Sequence, residues 1–212
     1  MEQEEQIRKA YVEHVLENGT RPPSVYAFAK KLALTEEAFY GSYNSFDAIE
    51  KDVWKGFFDT TLAKAEGEEV YARYSVREKL LSFYYTLVEV LKANRSFVIF
   101  TRVGSDPRAV ATSRPLAAFK GAFLTYAREL LAEGTESREV VPRLFLSDRY
   151  PDGLWMQLMF VLNFWIRDDS KGFEKTDAAI EKAVNTSFEL IGRLPVDAVV
   201  DFAKFIYQNR PN

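Results

Sequence analysis

Apolar side chains recur at helical spacing along nearly the whole of this 212-residue chain. No stretch keeps the strict every-second-residue alternation of a half-buried strand for more than a few residues, so the chain reads as all-α. A first helix is expected over about 4–17, with Ile7, Ala10, Tyr11, His14 and Val15 on one face and Asn18-Gly19 as its stop. Pro22 and Pro23 interrupt, Ser24 is a suitable N-cap, and Val25, Phe28, Ala29 and Leu32 repeat at i, i+3, i+4 and i+7. After two intervening residues Thr35 caps a third short helix, 36–41. Tyr43 and the turn Asn44-Ser45 follow, and then a long fourth helix carrying Ala48, Ile49, Val53, Trp54, Phe57 and Phe58. Further helices are expected over 76–93, 96–103, 114–132, 153–167, 175–193 and 196–209, with irregular connections at 104–113 and 134–152.

Composition removes several function classes. The chain has no cysteine and one histidine, which excludes a disulfide framework, a thiolate metal site, a cysteine nucleophile and a multi-histidine metal site. It lacks a Gly-x-Ser-x-Gly elbow, a glycine-rich phosphate loop and a His-Glu-x-x-His pair, so no catalytic residue, metal or cofactor is expected. His14 lies on the apolar face of the first helix and reads as a packed, hydrogen-bonded residue rather than a catalyst. The most apolar stretch, 154–166, has 13 residues against the roughly 20 that a bilayer span needs, and it reads as a core helix. The acidic first residues lack the basic and apolar regions of a secretory signal, and a cytoplasmic location is expected.

Three short helices, the second and third joined by a tight link, form a helix-turn-helix arrangement. The residues Val25, Phe28, Ala29, Leu32, Leu34, Thr35, Phe39, Tyr40, Tyr43, Ser45, Asp47 and Ile49 stand in a pattern that resembles the N-terminal signature of the TetR family of bacterial transcriptional regulators. The resemblance spans about residues 4–55, and it implies a DNA-binding unit over 1–50 and a helical effector-binding and dimerisation unit over 51–212. By that resemblance the third helix enters a major groove, and the expected DNA-contacting residues are Ser24, Lys30, Lys31, Thr35, Glu36, Phe39, Tyr40, Ser42, Tyr43 and Lys51. Two features depart from the family pattern. Phe46 stands where the family usually places a phosphate-binding lysine, and residues 1–50 hold five basic against nine acidic side chains, a net of −4.

The second half carries many aromatic residues on helices that should face one another. Phe83, Tyr84, Phe97, Phe100, Phe119, Phe123, Tyr126, Phe160 and Phe164, with Arg102, are expected to line a chamber, since the resemblance implies a bulky, apolar effector inside this domain. Arg95 and Arg128 are further candidates for an acidic head group. Helix 153–167 is apolar at 11 of the 13 positions from 154 to 166 and must be covered on more than one side. The family pattern pairs two late helices with their copies across a two-fold axis, so a homodimer is expected through Trp155, Met159, Leu162, Ile166, Ile180, Val184, Phe188 and Ile191. The segment 164–180 is similar to one shared by a Bacteroidetes-type subgroup of the family. It is more weakly similar to the ubiquinone-biosynthesis lipid-binding protein, which has this fold without acting as a repressor. A lipid or isoprenoid carrier of the same fold that has lost DNA binding is therefore the alternative expectation.

Overall fold

The computed structural model describes residues 2–102, 114–143 and 146–192, and among these it is helical with no strand. The segment 104–113 and the helix expected over 196–209 lie outside the described residues. Among the described residues nine α-helices follow in chain order. They are α1 (Glu2–Asn18), α2 (Val25–Lys31), α3 (Glu36–Ser42), α4 (Phe46–Glu66), α5 (Val76–Lys92), α6 (Arg95–Arg102), α7 (Ala117–Glu136), α8 (Tyr150–Arg167) and α9 (Glu174–Ile191).

Local chemistry sets most of the boundaries. Ser24, Thr35 and Ser45 accept from the backbone N–H groups of Ala27, Ala38 and Ala48 at 3.1, 3.1 and 3.2 Å, so three successive helices are started by hydroxyl caps. Ser75 and Glu78 cap α5 reciprocally. Three boundaries differ most from the sequence expectation. A 3-10 turn at Arg114–Leu116, which contains Pro115, precedes α7, and α7 runs on past Gly134 to Glu136. Helix α8 starts at Tyr150 rather than at Gly153, because Pro151 sits in its first turn, where a missing N–H costs nothing.

Two groups of rings hold the molecule together. In the N-terminal unit Tyr11 stacks on Phe46 at 5.3 Å, and Phe28 meets Tyr11, Phe39 and Phe46 edge-on at 6.1, 6.2 and 5.7 Å. Helix α4 then runs out of that unit into the body, where Trp54, Phe57 and Phe58 pack against α5, α6 and α7. Helices α7, α8 and α9 complete the body, α9 also lying against α5. Full burial of each such side chain is worth about 1.5–3 kcal/mol, so this continuous core dominates the stability. No helix among the described residues is long and apolar enough to cross a membrane.

Candidate nucleic-acid interface and body surfaces

Helices α2 and α3 are joined through Leu32, Ala33 and Leu34, and Ala33 takes a left-handed conformation with φ of 56°. That turn sets the faces. Phe28 and Ala29 of α2 and Phe39 of α3 go into the core, while Tyr26, Lys30, Lys31, Glu36, Glu37 and Tyr40 remain exposed. Tyr26 and Tyr40 are 59% and 53% exposed, the largest exposures among the rings of this unit. Tyr26 was not among the expected contacts, although its place opposite Val25, Phe28 and Ala29 made its exposure readable.

The structure divides the expected DNA-contacting residues. Ser24, Lys30, Lys31, Thr35, Glu36 and Tyr40 are exposed on α2, α3 and their caps, and Ser42 and Lys51 are half-buried. Phe39 is fully buried among Phe28, Tyr40 and Phe46, so it supports α3 from inside and cannot touch a base. Tyr43 is also buried, and its hydroxyl donates to Asp52 Oδ2 at 2.6 Å, which also receives Arg8 Nη1 at 2.9 Å. Burial, and then the Asp52 carboxylate, push the Tyr43 phenol well above its ordinary range. Both residues are therefore corrected from contacts to supports.

Basic side chains are scarcer on this face than their number suggests. Glu50 is buried, and it accepts from Tyr11 at 2.6 Å and from Arg21 through Nε at 2.9 Å and Nη2 at 2.7 Å. Arg21 also reaches Asp47 at 2.7 Å. Arg8 and Arg21 are thus engaged by internal carboxylates, which leaves Lys30 and Lys31 as exposed cations beside α3. Phe46 is part of the ring cluster under α3, stacked on Tyr11. A lysine there would carry its charge into that cluster, so the departure from the family pattern is a packing choice.

In the body, the expected chamber is filled by its own walls. Phe83, Tyr84, Phe97, Phe119, Phe123 and Tyr126 are all buried, with Phe83 stacked on Tyr126 at 4.9 Å and Trp155 against Phe119 and Phe123 at 6.1 and 5.8 Å. Phe100 is half-buried against the same core, and the side chain of Arg102 lies outside the described part. Arg95 is not free to meet a head group. It lies over the rings of both Trp165 and Phe173 at 4.7 and 4.9 Å and donates to the carbonyls of Trp165 and Ile166, closing the C-terminus of α8. Arg128 is exposed on α7. His14 is half-buried with its ring edge-on to Phe28 at 6.5 Å, and its Nδ1 has no hydrogen-bond partner, contrary to the expected bonded state.

The outer face of α8 and α9 differs from expectation in register. Trp155, Met159, Leu162, Ile180, Val184, Phe188 and Ile191 are buried inside the protomer, and Ile166 is half-buried against the same core. These residues join α8 and α9 to α5 and α7 and cannot form the outward face of the pair. The apolar side chains that do face outward are Met156 and Phe160, each 54% exposed, with half-buried Phe164 and, from α9, Ala179, Ala183 and Leu190. Phe160 and Phe164, expected in the chamber, border two clefts of about 570 Å³ each on this surface. Behind it Gln157 donates to the Ala183 carbonyl and to Ser187, and receives the Tyr84 hydroxyl at 2.9 Å, fixing the two helices to α5.

The turn between α8 and α9 is organised by one buried carboxylate. Asp168 accepts from the N–H and hydroxyl of Ser170 at 2.9 and 2.6 Å and from those of Thr176 at the same distances. Burial alone would raise this carboxyl, but the donors outweigh it and hold it below the usual carboxylate range. Gly172, with φ of 67°, lets the chain reverse. The segment is a structural cap, and among the described residues no acidic or histidine cluster could hold a metal.

Residues 79–206, more than half of the chain, match the family model described as the tetracyclin repressor-like C-terminal domain. Among solved structures the chain is similar to a protein from Syntrophomonas wolfei described as a TetR-family transcriptional regulator. The TM-score is 0.65 at 17% identity, with 91% of this chain and 97% of that one covered. It is also similar to the fatty acid degradation regulator FadR of Bacillus halodurans (TM-score 0.61, 18% identity, 88% and 94% covered) and to a TetR-family protein from Shewanella sp. PV-4 (0.60, 10%, 91% and 99%). Comparison with curated proteins gives no significant match.

Proposed function

The chain belongs to the family with the tetracyclin repressor-like C-terminal domain, and from that premise we propose that it is a one-component transcriptional regulator that binds operator DNA as a homodimer. The observation that carries this reading is the union of a family-type body with an outward, unpartnered α3 face beside Lys30 and Lys31. Residues 1–50 would form the reading unit and the rest the effector and dimer unit. The resemblance of segment 164–180 favours the Bacteroidetes-type subgroup.

Dimerisation is proposed through the outer face of α8 and α9. Met156, Phe160, Phe164, Ala183 and Leu190 give it apolar surface, and the small side chains on α9 allow another helix to approach. The effector is proposed to be apolar and bulky, because the body is lined with rings. The relative from Bacillus halodurans, a fatty acid degradation regulator, points in the same direction. Such a ligand must displace rings that now touch one another, so it would act by favouring a body conformation in which α4 and α6 are shifted.

The test is a footprint on the DNA upstream of the protein's own gene, repeated at rising salt. A protected site that fades with salt, and that disappears when Lys30 and Tyr40 are both replaced by alanine, supports the regulator. A second reading, an apolar-ligand carrier without duplex binding, is favoured by the internal pairing of Arg8 and Arg21. Native mass spectrometry that finds co-purified lipid, with no duplex affinity at low salt, would select the carrier.

A further inference from the structure

The packing of α3 determines which side chains it can offer to a base edge. Phe39 is buried, so the opposite side of the helix, Glu36, Glu37, Tyr40 and Gly41, is what solvent meets. Gly41 has no side chain to extend. The outward face therefore holds two carboxylates and one phenol, and among the described residues neither glutamate forms an ion pair.

Resting on the regulator reading above, we infer that Glu36 and Glu37 are specificity-determining residues whose carboxylates select cytosine in the operator. A carboxylate only accepts hydrogen bonds, so it cannot make the two-donor contact to the guanine O6 and N7 edge that arginine and lysine make. The major groove offers it only two donors, the cytosine N4 amino group and the adenine N6 amino group. These are not equivalent. The adenine amino group lies between two acceptors, its own N7 and the O4 of the paired thymine. The cytosine amino group has an acceptor on one side only, the guanine O6, and a C–H on the other. A carboxylate thus meets less repulsion at cytosine, and at guanine or thymine it meets acceptors alone. Tyr40 is the one donor on the face and is left for an acceptor edge or a phosphate.

The same charge explains how an acidic reading unit remains useful. Two carboxylates oppose every duplex through the phosphates, which weakens binding to arbitrary sequence, and a correctly placed amino group recovers part of that loss. Lys30 and Lys31 supply the attraction that does not depend on sequence. The arrangement gives up affinity for discrimination.

The test is selection of sites by the full-length protein from a randomised duplex library at low salt, repeated with Glu36→Gln, Glu37→Gln and Tyr40→Phe. All three changes are on exposed side chains, and circular dichroism checks that the helical fold is kept. The expected half-site carries a C·G pair at one or two positions, with a preference over A·T pairs of about tenfold or more. In the glutamine variants that preference moves toward adenine, which glutamine reads through N6 and N7, and binding to unrelated duplex tightens. An enriched site without a C·G preference, or one unchanged in both glutamine variants, overturns the inference and leaves the regulator reading intact. No enrichment of any duplex by the unsubstituted protein overturns both.

Discussion

Ala33 shows how a single residue records a compromise. It occupies the turn of the helix-turn-helix with φ of 56°, where a Cβ costs about 1–2 kcal/mol. Ala33→Gly removes that strain but enlarges the freedom of the unfolded chain by about 0.4–1 kcal/mol. The net expectation is a gain of roughly 0.5–1 kcal/mol, read as a higher midpoint in urea unfolding. Glu50 is the opposite case, a buried carboxylate held by Tyr11 and Arg21. Arg21→Ala strands that charge and should cost about 2–4 kcal/mol, below the fully buried limit because Arg21 is partly exposed. Glu50→Gln in the same chain should recover part of the loss, and a double-mutant cycle measures it. The Tyr11 phenol is raised by burial and then by Glu50. In the unfolded chain it titrates near its usual value of about 10, so the unfolded state loses this proton first. Its contribution is complete below that pH and declines as pH rises above it. Tyr11→Phe should be less stable at neutral pH and show a shallower alkaline decline in thermal melts.

At the scale of elements, the sequence told which segments are helices far better than which way they face. The caps at Ser24 and Thr35 and the stop at Asn18-Gly19 act within a few residues, so the end of α1 and the starts of α2 and α3 were legible. Helix α8 is apolar on all sides, and its pattern cannot say which stripe is inside the protomer. The resulting choice of Trp155, Met159 and Leu162 as outward residues failed for that reason. Helix α9 did carry the information, since Ile180, Val184, Phe188 and Ile191 form its single strongly apolar stripe and naturally go to the core. Phe39 and Tyr43 illustrate the same limit around α3, where a signature residue was visible but its role as support was not. The corrected register has a sharp consequence. Phe160→Glu changes an exposed position and should leave the protomer folded but monomeric, seen by light scattering after size exclusion. Trp155→Ala empties a core site and should cost about 3–5 kcal/mol whatever the oligomeric state.

At the scale of the whole molecule, α4 is shared by both ring clusters. Its first turns hold Phe46 and Glu50 in the N-terminal unit, and farther along Trp54 and Phe58 are locked into the body. Trp54 Nε1 donates to Thr101 on α6 at 3.1 Å, and α6 also touches α1. The N-terminal unit therefore cannot tilt without disturbing the body rings, and on the proposed function this is a physical route by which an effector would be coupled to DNA. Thr101→Val leaves the buried indole N–H unpaired, which should lower stability by about 1–3 kcal/mol. The proposed phosphate contacts would depend on a different property, the supply of cations not engaged by internal carboxylates. Lys30 and Lys31 are exposed beside α3, whereas Arg8 is held by Asp52. Every phosphate that goes unneutralised should flatten the plot of log affinity against log salt by roughly 0.9. Replacing both lysines by glutamine should thus reduce the slope by up to two such steps per protomer, while Arg8→Gln leaves it unchanged. A slope that follows Arg8 and ignores the lysines would mean that the duplex approaches α1 rather than α2 and α3.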